Sequence, residues 1–392
     1  MLGWDALLSN AEVTYDICQP LTPGDVARLQ CAESRLRRAA PRSWVATVAS
    51  PIGLDDYERT GLGPDPRYLG NEGARRITRS WLALLRWMNM LAPVKSLTFE
   101  GTMQDSLAYR TILQAVAALT STLRSLSVTG SARLELITFD ASFTRNDISS
   151  LANGCPELQE LTLPVDNETG PDGALFCVFR NIAHFQQLRL LDLYISSADV
   201  ADLLHLRDLS RLEVLRLEGR LWGDADPLTL CSPSLTIIKF DGVFGVPQDE
   251  GFESLAMTST ALQQLKMTDR IGHRWSPLAD VTQRAIDALG QLSSLEVLHF
   301  TDWRSSEDAD MQQLSPRPLE RTSLRELILP VPCFSMATMA GLRFAKLRML
   351  ELHGEGDADE KGMVAILKAC PGLSIVWQTV VKGQDSDSDV SL

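Results

Sequence analysis

Several patterns that mark enzymes and metal sites are missing from this chain of 392 residues. Its five histidines include no His-x-x-x-His pair, and none lies beside a cysteine pair, so the sequence predicts no metal site. It also has no glycine-rich phosphate-binding motif and no Gly-x-Ser-x-Gly elbow. We therefore expect no catalytic residues, no cofactor and no enzymatic activity.

Long apolar runs and cysteine pairs are absent too. No stretch of about 18 apolar residues appears, so no membrane span is expected. The first ten residues lack the basic start of a secretory signal, and none is expected. The seven cysteines are scattered without a Cys-x-x-Cys pair, which favours reduced thiols and a cytoplasmic or nuclear location, or both.

Positive charge is scarce. The chain has 37 Lys and Arg against 50 Asp and Glu, a net charge of −13, which argues against nucleic acid or anionic membranes as general partners. The end of the chain, 381–392, is acidic and is expected to be disordered. It is either a solubilising tail or a phosphorylated one, with Ser386 and Ser388 as the candidate sites.

What the chain has in abundance is one rhythm, Leu-x-x-Leu-x-Leu or a close variant. Eleven copies follow one another at intervals of 23 to 35 residues, the last of them degraded. The final Leu-x-Leu of each copy predicts a short strand with two inward side chains. Because one such unit cannot bury its own apolar side, the units must stack into a parallel sheet. The copies begin at Val94, Leu123, Leu158, Leu188, Leu212, Leu235, Leu262, Leu295, Leu324, Leu347 and Leu373.

Segments with helical spacing of apolar residues separate the copies and predict an outer helical layer. Several end in Gly or Pro just before the next strand, where those residues stop a helix. The clearest are 105–121, 144–155, 198–209, 280–292 and 360–370.

The pattern resembles leucine-rich repeats of the long, helix-containing type found in ribonuclease inhibitors and in F-box/leucine-rich-repeat proteins. The Cys-Pro openings at Cys155 and Cys370 are typical of the F-box-associated variety. The resemblance covers about 93–380. It implies an α/β leucine-rich-repeat solenoid of about 10–11 repeats, with a curved parallel sheet inside and helices outside.

Residues 1–48 resemble a divergent F-box, a small helical domain, in which Thr22, Pro23 and Asp25 predict a helix start. Residues 49–92 are expected to form a loop followed by a helix that caps the first repeat. The resemblance implies binding of a Skp-type adaptor in a cullin ubiquitin ligase. The expected adaptor-binding residues are Ile17, Leu21, Pro23, Val26, Leu29 and Leu36.

The residue between the last two leucine-like positions of each copy should face the concave surface. In the middle of the array this column is basic, beside an apolar column two residues earlier. The expected target-binding residues are Asp192, Arg216, Lys239, Lys266 and His299, with Leu190, Val214 and Ile237 in the apolar column. Either the row receives an acidic or phosphorylated segment of a target protein, or Glu218 and Asp241 neutralise it within the sheet.

Together these features predict a protein-interaction module, a substrate receptor of a cullin-type ubiquitin ligase that binds the Skp adaptor through its N-terminal helices. The alternative is a repeat scaffold without ligase association, since the Leu-Pro pair that opens an F-box is replaced by "LLSNAEVTY". A GTPase activator built on repeats is a third possibility, although the sequence offers no distinctive catalytic arginine.

Overall fold

The chain, seen in a computed structural model, forms two compact units, Met1–Ala198 with Leu204–Leu212, and Asp199–Leu203 with Glu213–Leu392. The structure describes residues 12–15, 44–49, 94–100, 113–114, 116–118, 120–129, 145–165, 178–222, 226–230, 232–242, 248–268, 282–300, 314–330, 339, 341–354, 360–370 and 372–379.

The first unit is built on six parallel strands in chain order, each hydrogen-bonded to the next. They are β1 (Glu12–Tyr15), β2 (Trp44–Ala49), β3 (Val94–Glu100), β4 (Ser125–Thr129), β5 (Glu160–Val165) and β6 (Leu190–Asp199). Its outer elements include α1 (Arg145–Gly154) and α2 (Val178–Ile182).

The second unit repeats this arrangement with seven parallel strands in chain order. They are β7 (Val214–Trp222), β8 (Ile237–Asp241), β9 (Gln264–Thr268), β10 (Val297–Phe300), β11 (Glu326–Pro330), β12 (Met349–Gly354) and β13 (Ser374–Thr379). Its outer elements include α3 (Asp249–Thr258), α4 (Gln283–Leu289), α5 (Glu360–Ala369) and the 3₁₀ helices Pro227–Leu230 and Arg317–Arg321.

Every copy of the leucine motif ends in a strand, and the parallel order confirms an α/β leucine-rich-repeat fold in each unit. The apolar rhythm is the reason, since the inward residues of the motif are almost entirely buried; Leu161, Leu191, Leu215 and Ile238 have exposed fractions of 0–1%. Burying one such side chain stabilises the fold by roughly 1.5–3 kcal/mol.

A recurring turn joins each outer element to its strand. The amide of the first leucine of the motif donates to the carbonyl three residues earlier, as from Leu158 to Cys155 and from Leu295 to Leu292. The next two amides donate to the preceding strand; those of Gln159 and Glu160 both reach the carbonyl of Arg124. Each of these repeats is thereby held in register by its neighbour.

Polar side chains occupy the start of this turn in several repeats. Thr120 and Ser259 are fully buried, and the Ser259 hydroxyl donates to the carbonyl of Ser232 in the preceding repeat, at 3.2 Å. The corresponding Cys155 and Cys370 are buried free thiols, and burial raises the pKa of Cys155 to about 11. These two cysteines are therefore the reduced core residues that the sequence predicted.

The secondary structure departs from the sequence prediction in three places. The segment Val200–Asp208 is a 3₁₀ helix where an α-helix was expected. The strands β1 and β2 lie in segments where helices and a loop were expected, while the proposed F-box helices and capping helix fall outside the described residues. Among the described residues, no helix is long and apolar enough to cross a bilayer.

Candidate functional site

The predicted column of site residues forms one continuous row in the second unit. Consecutive members of the row pair with each other on adjacent strands from β7 to β13. The row is Arg216, Lys239, Lys266, His299, Ile328, Glu351 and Val376. We call the face of β7–β13 that carries this row the open face.

The open face is opposite the core. Strand alternation sends the neighbours of each row residue inward, so Leu215 and Leu217 are buried on either side of exposed Arg216. On the inner side, Phe252 of α3 packs edge-on against Phe300 of β10, with ring centroids 6.1 Å apart. The outer elements therefore cover the inner side of the sheet and leave the row on the other side.

The last member of the row is not the residue that the leucine rhythm of the eleventh copy would place there, which is Trp377. In the structure Val376 pairs with Glu351, and Trp377 pairs with Leu352, a buried residue of β12. The reason is that the last turn is one residue shorter than the leucine rhythm suggests, so Ile375 aligns with the buried Leu350. Val376 is 46% exposed.

Lys239 lies near a buried acidic group. Its Nζ lies 4.0 Å from Oδ2 of Asp241, whose side chain is 2% exposed. The Thr268 hydroxyl donates to the other carboxylate oxygen, Oδ1, at 2.8 Å. This is a pair that the second sequence alternative named, and the Lys239 side chain keeps 37% of its surface exposed.

Lys266 is the neighbour of Lys239 and differs from it. The two residues pair on β8 and β9, so two ammonium groups project from adjacent strands. In the part of the chain that the structure describes, no carboxylate forms an ion pair with Lys266. Like charges at this spacing repel each other, which favours an anion close to both.

His299, on the next strand, is not a cation at neutral pH. Burial and the positive charge of Lys266 together lower its pKa to about 4, against an opposing effect of Glu351. Its Nε2 is 3.4 Å from Oε2 of Glu326, without hydrogen-bond geometry. The cationic part of the row is therefore Arg216, Lys239 and Lys266.

Carboxylates follow on the other side of His299. Glu351 Oε1 lies 2.9 Å from Nε2 of His353, and its side chain is 22% exposed. Glu326, two positions before Ile328 on β11, is 44% exposed. Neither Glu326 nor His353 was among the residues predicted from the sequence, although both fall on the outward positions of the same Leu-x-Leu pattern.

The apolar column is accessible over only part of its length. Val214 and Ile237 are half-buried on β7 and β8, whereas Val297 on β10 has an exposed fraction of 9%. Among the strands described, the apolar contact surface that the sequence predicted is thus confined to the basic end of the open face.

The remaining predicted residues lie in other parts of the chain. Leu190 and Asp192 lie on β6 in the first unit, where Asp192 pairs with Thr162 of β5. All six predicted adaptor-binding residues lie outside the described residues.

The outer layer of the first unit has an open cavity of about 610 Å³ lined in part by Arg180, His184 and His205. No group of three or more His, Cys, Asp or Glu side chains within the described ranges could hold a metal ion.

The sequence matches no family model and no curated protein. Similar solved structures include the Rad7–Elc1 complex from yeast, at 14% identity and a TM-score of 0.40 over 91% of both chains. They also include LegL7 of Legionella pneumophila, a leucine-rich-repeat-containing protein, at 10% identity and a TM-score of 0.34 over 72% of this chain and 82% of that one.

The plant peptide hormone receptor RGFR1, in complex with RGF2, matches at 15% identity and a TM-score of 0.36 over 76% of this chain and 41% of its own. The chain covers 46% of the chain matched in the PEPR1–AtPEP1 structure. It thus spans less than half of these two proteins. The strand order and register of the structure itself establish the fold.

Proposed function

We propose that the protein is a recognition scaffold without catalytic activity of its own, and that its open face binds a target protein. The observation that carries this is the pair Lys239 and Lys266, adjacent cations on a rigid parallel sheet beside the half-buried Ile237. A binding surface of this kind combines charged groups with apolar contact area on fixed elements.

Reversing the charge of both lysines tests this function. Lys239→Glu with Lys266→Glu should remove captured partners from a quantitative pull-down, because the surface charge changes by four units at one place. Lys361→Glu with Lys368→Glu makes the same change on the exposed side of α5 and serves as the control. If the variant with both face lysines reversed captures the same partners as the parent, the proposed binding face is contradicted. Equal loss of partners in this variant and in the control variant would contradict it as well.

We further propose that the target is presented to a cullin-type ubiquitin ligase, through an F-box-like segment at 1–48. The support is the order of the residues from Ile17 to Leu36 in the sequence and their resemblance to an F-box. Apolar residues on one helix face, such as Val26 and Leu29, would contact the Skp-type adaptor and cullin core.

A direct binding measurement with a purified Skp-type adaptor separates this proposal from its alternative. The unmodified chain should bind, and Val26→Asp with Leu29→Asp should not, since charges on the apolar face oppose docking. Absence of binding by the unmodified chain would favour the scaffold without ligase association. Binding that survives the double substitution would show that another surface contacts the adaptor.

A further inference from the structure

The charges of the row are segregated by strand. Its cations, Arg216, Lys239 and Lys266, lie on the neighbouring strands β7, β8 and β9. The partly exposed carboxylates Glu351 and, two positions before Ile328, Glu326 lie on β12 and β11. The row is therefore basic on one side and acidic on the other, with Glu218 and Asp241 at the outward positions that follow Arg216 and Lys239.

His299 marks the boundary between the two sides. It lies on β10 between them and pairs with Lys266 of β9. Burial and the positive charge of Lys266 lower the pKa of His299, whereas the negative charge of Glu351 raises it. The ring is therefore close enough to both sides to be affected by their charges. Because the ring is neutral at pH 7 and 12% exposed, it contributes no charge to either side.

Both sides keep charge available for a partner. On the basic side, Lys239 lies 4.0 Å from Asp241 and keeps 37% of its side chain exposed, and in the described part of the chain Lys266 forms no ion pair. On the acidic side, His353 holds the Glu351 carboxylate at 2.9 Å, while much of the Glu326 side chain remains exposed. A group held as Glu351 is loses less conformational entropy when it binds than a free side chain does.

The spacing of the two sides sets the length of the partner. From Lys266 on β9 to Glu351 on β12 there are three strand steps, or about 14 Å at about 4.8 Å per step. An extended chain rises about 3.4 Å per residue, so about four residues span this distance.

We propose that the open face binds an extended segment of a partner protein that carries an acidic or phosphorylated residue and, about four residues away, a lysine or arginine. The anionic group lies between Lys239 and Lys266, and the cationic group reaches Glu326 and Glu351. The segment crosses the strands. The proposal rests on the function proposed above and adds the chemistry of its target.

Selection from a displayed library of random peptides, each about 12 residues long, on the full-length chain tests it. The selected peptides should be enriched in Asp or Glu paired with Lys or Arg at separations of about three to five residues. Phosphoserine in place of the selected acid should bind at least as tightly, because its charge is higher. No enrichment of any sequence would contradict both this proposal and the proposed binding face.

Variants of the protein distinguish a failure of this proposal from a failure of the proposed binding face. Lys266→Glu should weaken a selected peptide about tenfold or more, and a peptide with its acid changed to Lys should recover binding to that variant. Glu351→Lys should also weaken a selected peptide, and a peptide with its Lys or Arg changed to Glu should recover binding to that variant. If Ile237→Asp abolishes binding but neither charge change alters it, the face is a binding site whose partner lacks this charge pair.

Discussion

At the scale of single residues, a close approach between two repeats requires glycine, because glycine has no Cβ atom. Gly154, at the end of α1, faces the backbone of the preceding repeat, where a Cβ would lie 2.0 Å from the carbonyl oxygen of Ala117. No other residue fits without moving backbone atoms. The glycine that the sequence suggested as a helix stop is thus also a contact between repeats.

His299 gives the first prediction, a loss of stability on acidification. Between its usual pKa of 6.5 and its folded pKa of about 4, the unfolded chain takes up a proton that the folded chain does not. Stability therefore falls as pH falls through this window. His299→Gln should remove about 1–2 kcal/mol of the loss between about pH 7.5 and pH 5.

Urea denaturation of both proteins at the two pH values measures the effect. The difference in the free energy of unfolding between variant and parent must change with pH, because the charges of Lys266, Glu326 and Glu351 are present in both proteins and cancel in the difference. A difference that stays constant over this pH range would show that His299 takes up its proton equally in the folded and unfolded chains.

At the scale of elements, buried acids connect the outer layer of one repeat to that of the next. Oxygens of Asp226 accept amides from Leu228, at 2.8 Å, and from Gln248, at 2.6 Å, just before α3. Asp249 in the first turn of α3 accepts the backbone amide of Thr282, at 2.9 Å, and also the hydroxyl of that residue. Burial raises the pKa of Asp226, which shows the cost of holding this acid inside. Each acid satisfies amides at the start of the following helix that would otherwise be orphaned.

The second prediction compares two carboxylates of α3. Asp249→Ala should destabilise the second unit by roughly 1.5–3 kcal/mol, because a buried acceptor is lost and the Thr282 amide is left unpaired. Glu253→Ala, which removes an exposed pair with Arg284 of α4, should leave stability close to that of the parent. Chemical denaturation curves provide the measurement; equal effects of both variants would contradict the capping role of Asp249.

At the scale of the whole molecule, the net charge and the open face have opposite character. The chain carries −13 overall, yet three cations stand on neighbouring strands of the second unit. Net charge describes solubility and long-range attraction, whereas recognition depends on the few groups that share a face. The repeats produce this concentration because each one contributes a single side chain to the row.

The third prediction concerns how far a local destabilisation extends through the second unit. In a repeat array each repeat contacts only its neighbours, so perturbations remain local. In Asp249→Ala, hydrogen exchange should accelerate most in α3, α4 and β10 and change least in α5 and β13. Exchange measured by mass spectrometry on overlapping peptides resolves this, and a uniform increase across the unit would show that the unit unfolds as a whole.

The leucine rhythm predicted eleven strands, their parallel order and the inward direction of their leucines, because burying apolar side chains at a period of two is a local property of the sequence. It did not predict β1 and β2, whose sequences "EVTY" and "WVATVA" lack the motif. The register at β13 was also missed, since one residue fewer in a turn exchanges the inward and outward positions.

Composition and spacing alone determined that this chain stacks repeats and, except on β13, which residues line one face of the second unit, since a repeated apolar pattern allows few other ways to exclude water. Only the tertiary structure decided the electrical character of that face. It buried His299 beside Lys266, which keeps the ring neutral, and set Asp241 against Lys239. Such effects depend on distance and on exclusion of water across strands that lie far apart in the chain, and spacing along a sequence specifies neither.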